Sequence, residues 1–284
     1  MDTTRIEKLE QYGLLLAAGE DARAFLHAQL TNDVEGLAAG QARYAGWCSA
    51  KGRLLATFVV VPHAGGFLLQ LSRDLVPTVV KRLQMFVLRS KVKISDVSEQ
   101  WVQFGAWGPN DGVPLSVTES DGSVTIRIEP GRSLVLVPAA SSSRFTPVAA
   151  PGDWMLAEVR AGRPLIAQAT QDQFVPQMVN LELTGGVDFK KGCYPGQEVV
   201  ARAQYRGAVK RRMYRLRGAA LQPGQPLYSD DAPGQASGTV VNASGDESLA
   251  VLQTSAVDAK SAIRAQPQSA ALEVLPLPYR KNGA

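Results

Sequence analysis

The sequence is sparing with the groups that usually announce a chemistry. Its 284 residues contain two cysteines, Cys48 and Cys193, and two histidines. Two thiols cannot staple a small secreted fold, and their scarcity fits a reducing, cytoplasmic setting. His27 has no partners at metal-ligand spacing, so we read it as structural and expect no stably bound metal. Neither a GxGxxG nor a GxxxxGKS/T loop stands between a strand and a helix, which weighs against a nucleotide-dependent reaction. Residues 1–8 hold no apolar h-region, so no signal peptide is expected. The longest apolar run, residues 54–62, is broken by Thr57. It is far too short for a bilayer and reads as a buried strand, so no membrane partner is expected.

What is present is ordinary in bulk and uneven in detail. Hydrophobic residues make up 45% and charged residues 20%, the balance of a globular chain long enough for two or three domains. The net charge of +4 conceals a local excess. Residues 190–217 carry nine Lys or Arg against one acid, Glu198, a net of +8, which leaves −4 for the rest of the chain. Such a patch suits an anionic ligand or partner, or it is a solvated face whose counter-ions come from elsewhere in the fold.

Periodicity organises the chain as α+β. A strand over 13–19 precedes a helix with Asp21 as N-cap and Phe25, Leu26 and Leu30 at helical spacing. Residues 44–72 read as strands joined at Ser49-Ala50-Lys51-Gly52 and His63-Ala64-Gly65-Gly66. A helix begins at Ser72-Arg73-Asp74, and strands follow over 92–97, 102–107, 124–128 and 133–137. A small-residue loop leads to Asp153, which caps a helix over 154–160. Without strict strand–helix alternation, α+β is favoured over a doubly wound sheet. From residue 207 short strands alternate with Gly, Pro and Asp turns. They predict a separate antiparallel β-barrel over 207–284, behind two intertwined modules at 1–100 and 101–206.

The least generic stretch is Asp188-Phe189-Lys190-Lys191-Gly192-Cys193-Tyr194-Pro195-Gly196-Gln197-Glu198. Pro195-Gly196 reads as a turn, and directly after it Gln197–Gln204 has a helical pattern; proline suits the start of a helix, and Glu198 suits its first turn. That reading sets Cys193 just before a helix N-terminus, with two lysines upstream. Nearby cations and free N–H groups favour a thiolate. The competing reading is a small buried hydrophobe, the usual fate of a free cysteine.

The pattern Lys191-Gly192-Cys193-Tyr194-x-Gly196-Gln197-Glu198-x-x-Ala201-Arg202 resembles the signature of the YgfZ-type folate-binding proteins. These are relatives of the aminomethyltransferase of glycine cleavage, the T-protein. Further matches are Phe25-Leu26-x-x-Gln29-Leu30-Thr31-Asn32-Asp33-Val34 and Cys48-Ser49-Ala50-Lys51-Gly52-Arg53. Glu158-x-x-x-Gly162-x-Pro164, Phe174-Val175-Pro176-Gln177-Met178-Val179-Asn180-Leu181 and Glu273-Val274-Leu275-Pro276-Leu277-Pro278-Tyr279 extend the likeness over nearly the whole chain.

The resemblance implies three modules in a ring around a central folate channel, closed by a C-terminal β-barrel. It implies tetrahydrofolate or a folate derivative as ligand. It also implies a role in assembling or repairing iron–sulfur proteins, including enzymes that thiomethylate tRNA, with those proteins or their assembly factors as partners. By position, Trp154 and Tyr12 are the aromatic residues of the folate site, and a flat pterin suits an aromatic face. Asn180 belongs to the same set, and Lys190, Arg202 or Arg206 would draw the glutamate tail. A Cys193 thiolate there could attack an activated one-carbon unit, form a mixed disulfide or lend a transient cluster ligand.

The chain departs from the T-protein where that enzyme carries acids after a Gly-Gly turn. Ala56 and Thr57 stand there, and neither can act as a general base. Asn180 replaces a glutamate. Aminomethyl transfer is therefore not expected, although a folate-dependent one-carbon transferase remains an alternative. So does an RNA- or protein-binding module using the 190–217 patch. Only Tyr194, Tyr205 and Tyr214 could stack on bases there, and no RNA-recognition signature is present. Direct nucleic-acid binding is therefore not expected.

Overall fold

The computed structural model describes residues 5–110, 112–205, 207 and 209–279. The chain forms two compact units, Met1–Ala45 with Phe58–Trp154 and Gly46–Thr57 with Met155–Ala284.

The first unit is built on two five-stranded sheets. The strands are β1 (Arg5–Lys8), β2 (Tyr12–Ala18), β3 (Arg43–Cys48), β4 (Leu54–His63), β5 (Gly66–Ser72), β6 (Lys93–Asp96), β7 (Trp101–Trp107), β8 (Val117–Ser120), β9 (Ser123–Glu129) and β10 (Arg132–Pro138). One sheet runs β3-β4-β5-β2-β6 and the other β1-β7-β10-β9-β8. The ends of β3 and β4 nearest their connecting turn belong to the second unit. The apolar run of β4 is buried over nine of its ten residues, and β5 is buried throughout, as continuous apolar strands demand. β9 alternates buried and half-buried positions with the two-residue period of a strand.

Two helices pack in this unit, α1 (Ala22–Gln29) and α2 (Val76–Val87). α2 buries Val76, Val79 and Leu83, one helical stripe, and leaves the opposite face outside. Asp21 occupies the N-cap position of α1 but makes no cap hydrogen bond. Its carboxylate instead accepts the Lys91 N–H at 2.7 Å, tying the loop after α2 to the start of α1.

In the second unit, α3 (Asp153–Arg160, whose first two residues belong to the first unit) and α4 (Gln197–Tyr205) precede the barrel. The barrel comprises β11 (Arg211–Arg217), β12 (Pro226–Ser229), β13 (Ala236–Ser244), β14 (Glu247–Gln253), β15 (Ile263–Arg264) and β16 (Ala271–Leu275), with the short α5 (Thr254–Asp258) between β14 and β15. It is closed and antiparallel in the order β11-β14-β13-β12-β15-β16. Closure leaves no strand edge unpaired. Leu216, Leu227, Val240, Leu252, Ile263 and Leu272 fill its core. The expected mixed fold with a C-terminal barrel is therefore present. Among the described residues no helix is long and apolar enough to cross a membrane.

Candidate functional site around Cys193

Two turns of the second unit meet at Cys193. The Tyr194 carbonyl accepts the Gln197 N–H at 3.2 Å around Pro195-Gly196, and Gly196 has φ +78°. Proline second and left-handed glycine third are the marks of a type II turn. A Cβ on Gly196 would stand 2.4 Å from the Ser49 carbonyl oxygen and 2.5 Å from the Gly52 Cα. Gly52 is also left-handed, at φ +68°, and its Cβ would meet Val199 at 2.7 Å. Only glycine at both positions lets these backbones touch.

The turn at 49–52 is itself braced. Ser49 Oγ donates to Asp172 Oδ1 at 2.8 Å. The Asp172 N–H bonds the Leu54 carbonyl at 2.8 Å, and the Leu54 N–H bonds the Phe174 carbonyl at 2.7 Å. Three motifs far apart in sequence, at 48–53, 174–181 and 191–202, are thus brought together.

α4 begins at Gln197, directly after the Pro195-Gly196 turn as the sequence pattern indicates, and Pro195 stands outside it because Gly196 holds a left-handed conformation that a first helical turn excludes. The Pro195-Gly196 turn therefore separates Cys193 from the N–H groups of α4. Glu198 does occupy the first turn.

The two thiols differ sharply. Cys193 is exposed and Cys48 is buried. Burial, with the Asp172 carboxylate as a lesser cause, pushes the Cys48 thiol from 9.0 up to about 12. Burial also raises the Tyr194 hydroxyl well above its ordinary value, with Cys48 a smaller contributor. Tyr194 is buried, and the Lys191 ammonium stands 4.9 Å from its ring centroid. Tyr194 thus anchors the loop while its neighbour Cys193 reaches solvent.

The basic segment is not uniform. Lys190 and Arg202 are exposed, and the Lys190 N–H bonds Asp188 Oδ1 at 2.7 Å. Arg206 lies outside the described residues. Arg212 pairs with Glu182, Arg215 stands 3.8 Å from Glu247, and Arg217 pairs with Glu273. Counter-ions from elsewhere in the unit therefore meet Arg212, Arg215 and Arg217 in the C-terminal half of the patch.

Asn180 is fully buried and ends the single-turn helix Pro176–Val179 in a left-handed conformation. Its Nδ2 donates to the Met213 carbonyl at 2.8 Å and to the Tyr279 hydroxyl at 3.3 Å. The Tyr279 hydroxyl in turn donates to the Gly162 carbonyl at 3.0 Å. Burial pushes that hydroxyl up to about 12. Asn180 Oδ1 accepts from Arg212 at 3.4 Å. A carboxylate at this position could not donate to Met213. Asn180 thus joins the Gly162 loop, β11 and the Tyr279 segment. Thr57 is similarly committed: its hydroxyl donates to the Pro164 carbonyl at 3.2 Å and accepts the Ile166 N–H at 3.1 Å.

Trp154 and Tyr12 belong to the first unit. The Trp154 side chain is buried beside the Arg132 guanidinium, 4.4 Å from its ring centroid, with the Trp107 ring edge-on at 5.8 Å. Gly105 lies so close that a Cβ there would stand 2.2 Å from the indole. Within the first unit, Arg132, Trp107 and Gly105 flank the ring. Tyr12 borders a hollow of about 460 Å³ shared with Lys8, Arg73, Ser98, Trp101 and Gln103.

Sequence reasoning missed Glu7. This buried residue of β1 accepts the Gly152 N–H at 2.8 Å and the Trp154 N–H at 2.6 Å. It satisfies donors at the start of α3, where negative charge suits the helix. No local signal marks it, because its partners lie 145 and 147 residues away.

Comparison with known proteins gives this geometry a lineage. The GCVT N-terminal domain family matches residues 6–121. The tRNA-modifying protein YgfZ of Vibrio vulnificus is 32% identical, over 78% of this chain and 72% of its own. The tRNA-modifying protein YgfZ of Klebsiella pneumoniae is 30% identical, over 97% of this chain and 93% of its own. The crystal structure of glycine cleavage system aminomethyltransferase T from Bartonella henselae shares the fold, with a TM-score of 0.70 over 97% of this chain and 86% of that one at 15% identity. With identity of this order sustained from end to end, the chain belongs to the YgfZ family.

Proposed function

We propose that this protein is a cytoplasmic, folate-binding accessory factor for iron–sulfur cluster assembly or repair. On this reading it supports iron–sulfur enzymes that modify tRNA, and its working group is the Cys193 thiol. The observation that carries the reading is the contrast between the two thiols. Cys48 is sealed in the interior, whereas Cys193 is exposed on a loop whose turn is fixed by backbone contact with Gly52. A thiol held in place and open to solvent can meet a large partner. Iron–sulfur clusters ordinarily take about four protein ligands. Cys193 would lend one ligand in transit, and the client or its assembly factor would supply the others.

The residues fit a folate unevenly. Lys190 and Arg202 are exposed cations suited to the carboxylates of the glutamate tail, and Arg206 is assigned with them. Tyr12 offers an aromatic wall beside a hollow. Trp154 and Asn180 are buried, and we assign them the shaping of the site. Tetrahydrofolate, when bound, supplies a carrier for one-carbon units. Ala56 is buried and the Thr57 hydroxyl is already bonded at both ends. Neither offers a base, so no aminomethyl transfer is assigned.

The test has two arms. In cells lacking this protein, the wild type restores thiomethylated tRNA nucleosides and Cys193→Ala does not; equal restoration removes the thiol from the function. With purified protein, tetrahydrofolate changes tryptophan fluorescence saturably, and Lys190→Glu with Arg202→Glu weakens binding about tenfold, or roughly 1.4 kcal/mol. An unchanged signal at saturating folate removes the ligand.

A further inference from the structure

The outer face of α2 carries an exposed apolar cluster that the proposed function leaves unused. Met85, Phe86 and Leu88 are 69%, 44% and 88% exposed. Met85 and Phe86 line a groove of about 590 Å³ with Pro77, Thr78, Lys81 and Arg82. Clusters of exposed large apolar side chains are uncommon on monomeric proteins and mark contact surfaces.

Leu88 is held outward by backbone geometry. It ends α2 at φ +47°, ψ −105°, a conformation that costs a bulky residue on the order of 1–3 kcal/mol. The chain after it is clamped on both sides. The Ser90 N–H bonds the Val87 carbonyl at 2.8 Å, and the Lys91 N–H bonds Asp21 Oδ2 at 2.7 Å. The Lys91 carbonyl lies where a Cβ on Gly19 would stand only 2.1 Å away. These contacts over-determine the turn and keep the leucine in solvent.

The charged residues that line the groove are both cations, Lys81 and Arg82. Residues 75–95 contain Lys81, Arg82, Arg89, Lys91 and Lys93 and no Asp or Glu. Lys91 pairs with Glu20, whereas among the described residues Lys81, Arg89 and Lys93 make no ion pair. A flat bilayer does not enter a groove. A nucleic acid finds one aromatic stacker, Phe86, among aliphatic neighbours that stack poorly. A groove with Met and Phe walls and a cationic rim matches the composition of protein interfaces and of helix-in-groove recognition.

We propose that this face docks an acidic, amphipathic segment of a partner protein, with its apolar side chains in the groove and its carboxylates against the cations that line it, Lys81 and Arg82. The inference is independent of folate and of Cys193.

The test uses the full chain and a fluorescein-labelled helical peptide with Leu at i, i+4 and i+7 and Glu elsewhere on that flank. Anisotropy is expected to report micromolar binding that weakens with salt. Polyglutamate of equal charge, and a Lys-for-Glu version of the peptide, are expected to bind at least tenfold more weakly. Met85→Ser with Lys81→Glu should weaken the acidic peptide at least tenfold, and Cys193→Ala should leave it unchanged. Leu88→Gly separates contact from folding, because glycine relieves the strained turn while removing the leucine. It should weaken binding with an equal or higher melting temperature. Three results would overturn the proposal: no preference for the acidic amphipathic peptide, binding to anionic phosphatidylglycerol vesicles instead, or a dimer that Met85→Ser dissolves.

Discussion

Gly105 and Gly196 do the same steric work in different units, with opposite results for the neighbouring side chain. At Gly105 the missing Cβ lets β7 press against the Trp154 indole, and the aromatic is sealed inside. At Gly196 the missing Cβ lets two turns touch, and the cysteine three residues earlier is left in solvent. The difference lies in what the glycine meets. Gly105 faces a side chain, which can shift, whereas Gly196 faces backbone that Asp172 and Phe174 hold in place. A side-chain contact makes a core, and a backbone contact fixes a loop.

The sharpest way to break this comparison is a methyl group at each glycine. Gly196→Ala places a Cβ 2.4 to 2.6 Å from three backbone atoms, at φ +78°. We expect a loss of about 3 kcal/mol or more from overpacking plus left-handed strain, and a Cys193 loop that no longer resists proteolysis. Gly105→Ala meets only the Trp154 ring and should cost less, about 1–3 kcal/mol. Chemical denaturation of both variants measures the order. If Gly105→Ala were the more damaging, the distinction between backbone and side-chain contacts would fail.

A smaller effect concerns the buried cysteine and pH. The folded chain holds the Cys48 proton up to about 12, whereas an ordinary thiol releases it near 9.0. The associated stability is complete below pH 9.0 and is lost as pH rises toward 12. At pH 10 the loss should be about 1 kcal/mol, before the buried tyrosines add their share. Cys48→Ala should flatten this early part of the curve. Equal curves for Cys48→Ala and the wild type would show that the buried thiol is not the source.

How much of this was legible beforehand depended on range. The strands at 54–63 and 66–72 announced themselves because a continuous apolar run has one cheap resting place, the interior. The barrel was legible from its turn residues. β1 and β8 were not, since each is a four-residue edge strand with exposed, polar-rich positions. At the site, Pro195-Gly196 was visible as a turn, but the backbone contact that fixes it involves Gly52, 144 residues earlier in the chain. Glu7 was invisible for the same reason. The enclosure of Trp154 depends on Arg132 and Gly105, which no motif links to it. Local chemistry could be read directly, whereas contacts that decide exposure could not.

Lys191 is the residue on which the two readings of the basic motif still diverge. As a cation near a thiol it would belong to the chemistry; as placed, its ammonium stands 4.9 Å from the Tyr194 ring centroid. A partly exposed cation–π contact contributes about 0.5–1 kcal/mol. Lys191→Gln removes the charge and keeps most of the stem. If the lysine serves the loop, the variant should melt slightly lower, and Lys191→Arg, which preserves the contact, should melt like the wild type. Cells carrying Lys191→Gln should then keep most of the tRNA thiomethylation that, on the proposed function, Cys193→Ala removes. Loss of that activity in a variant with an unaltered melting temperature would instead move Lys191 from the support of Tyr194 into the chemistry of Cys193.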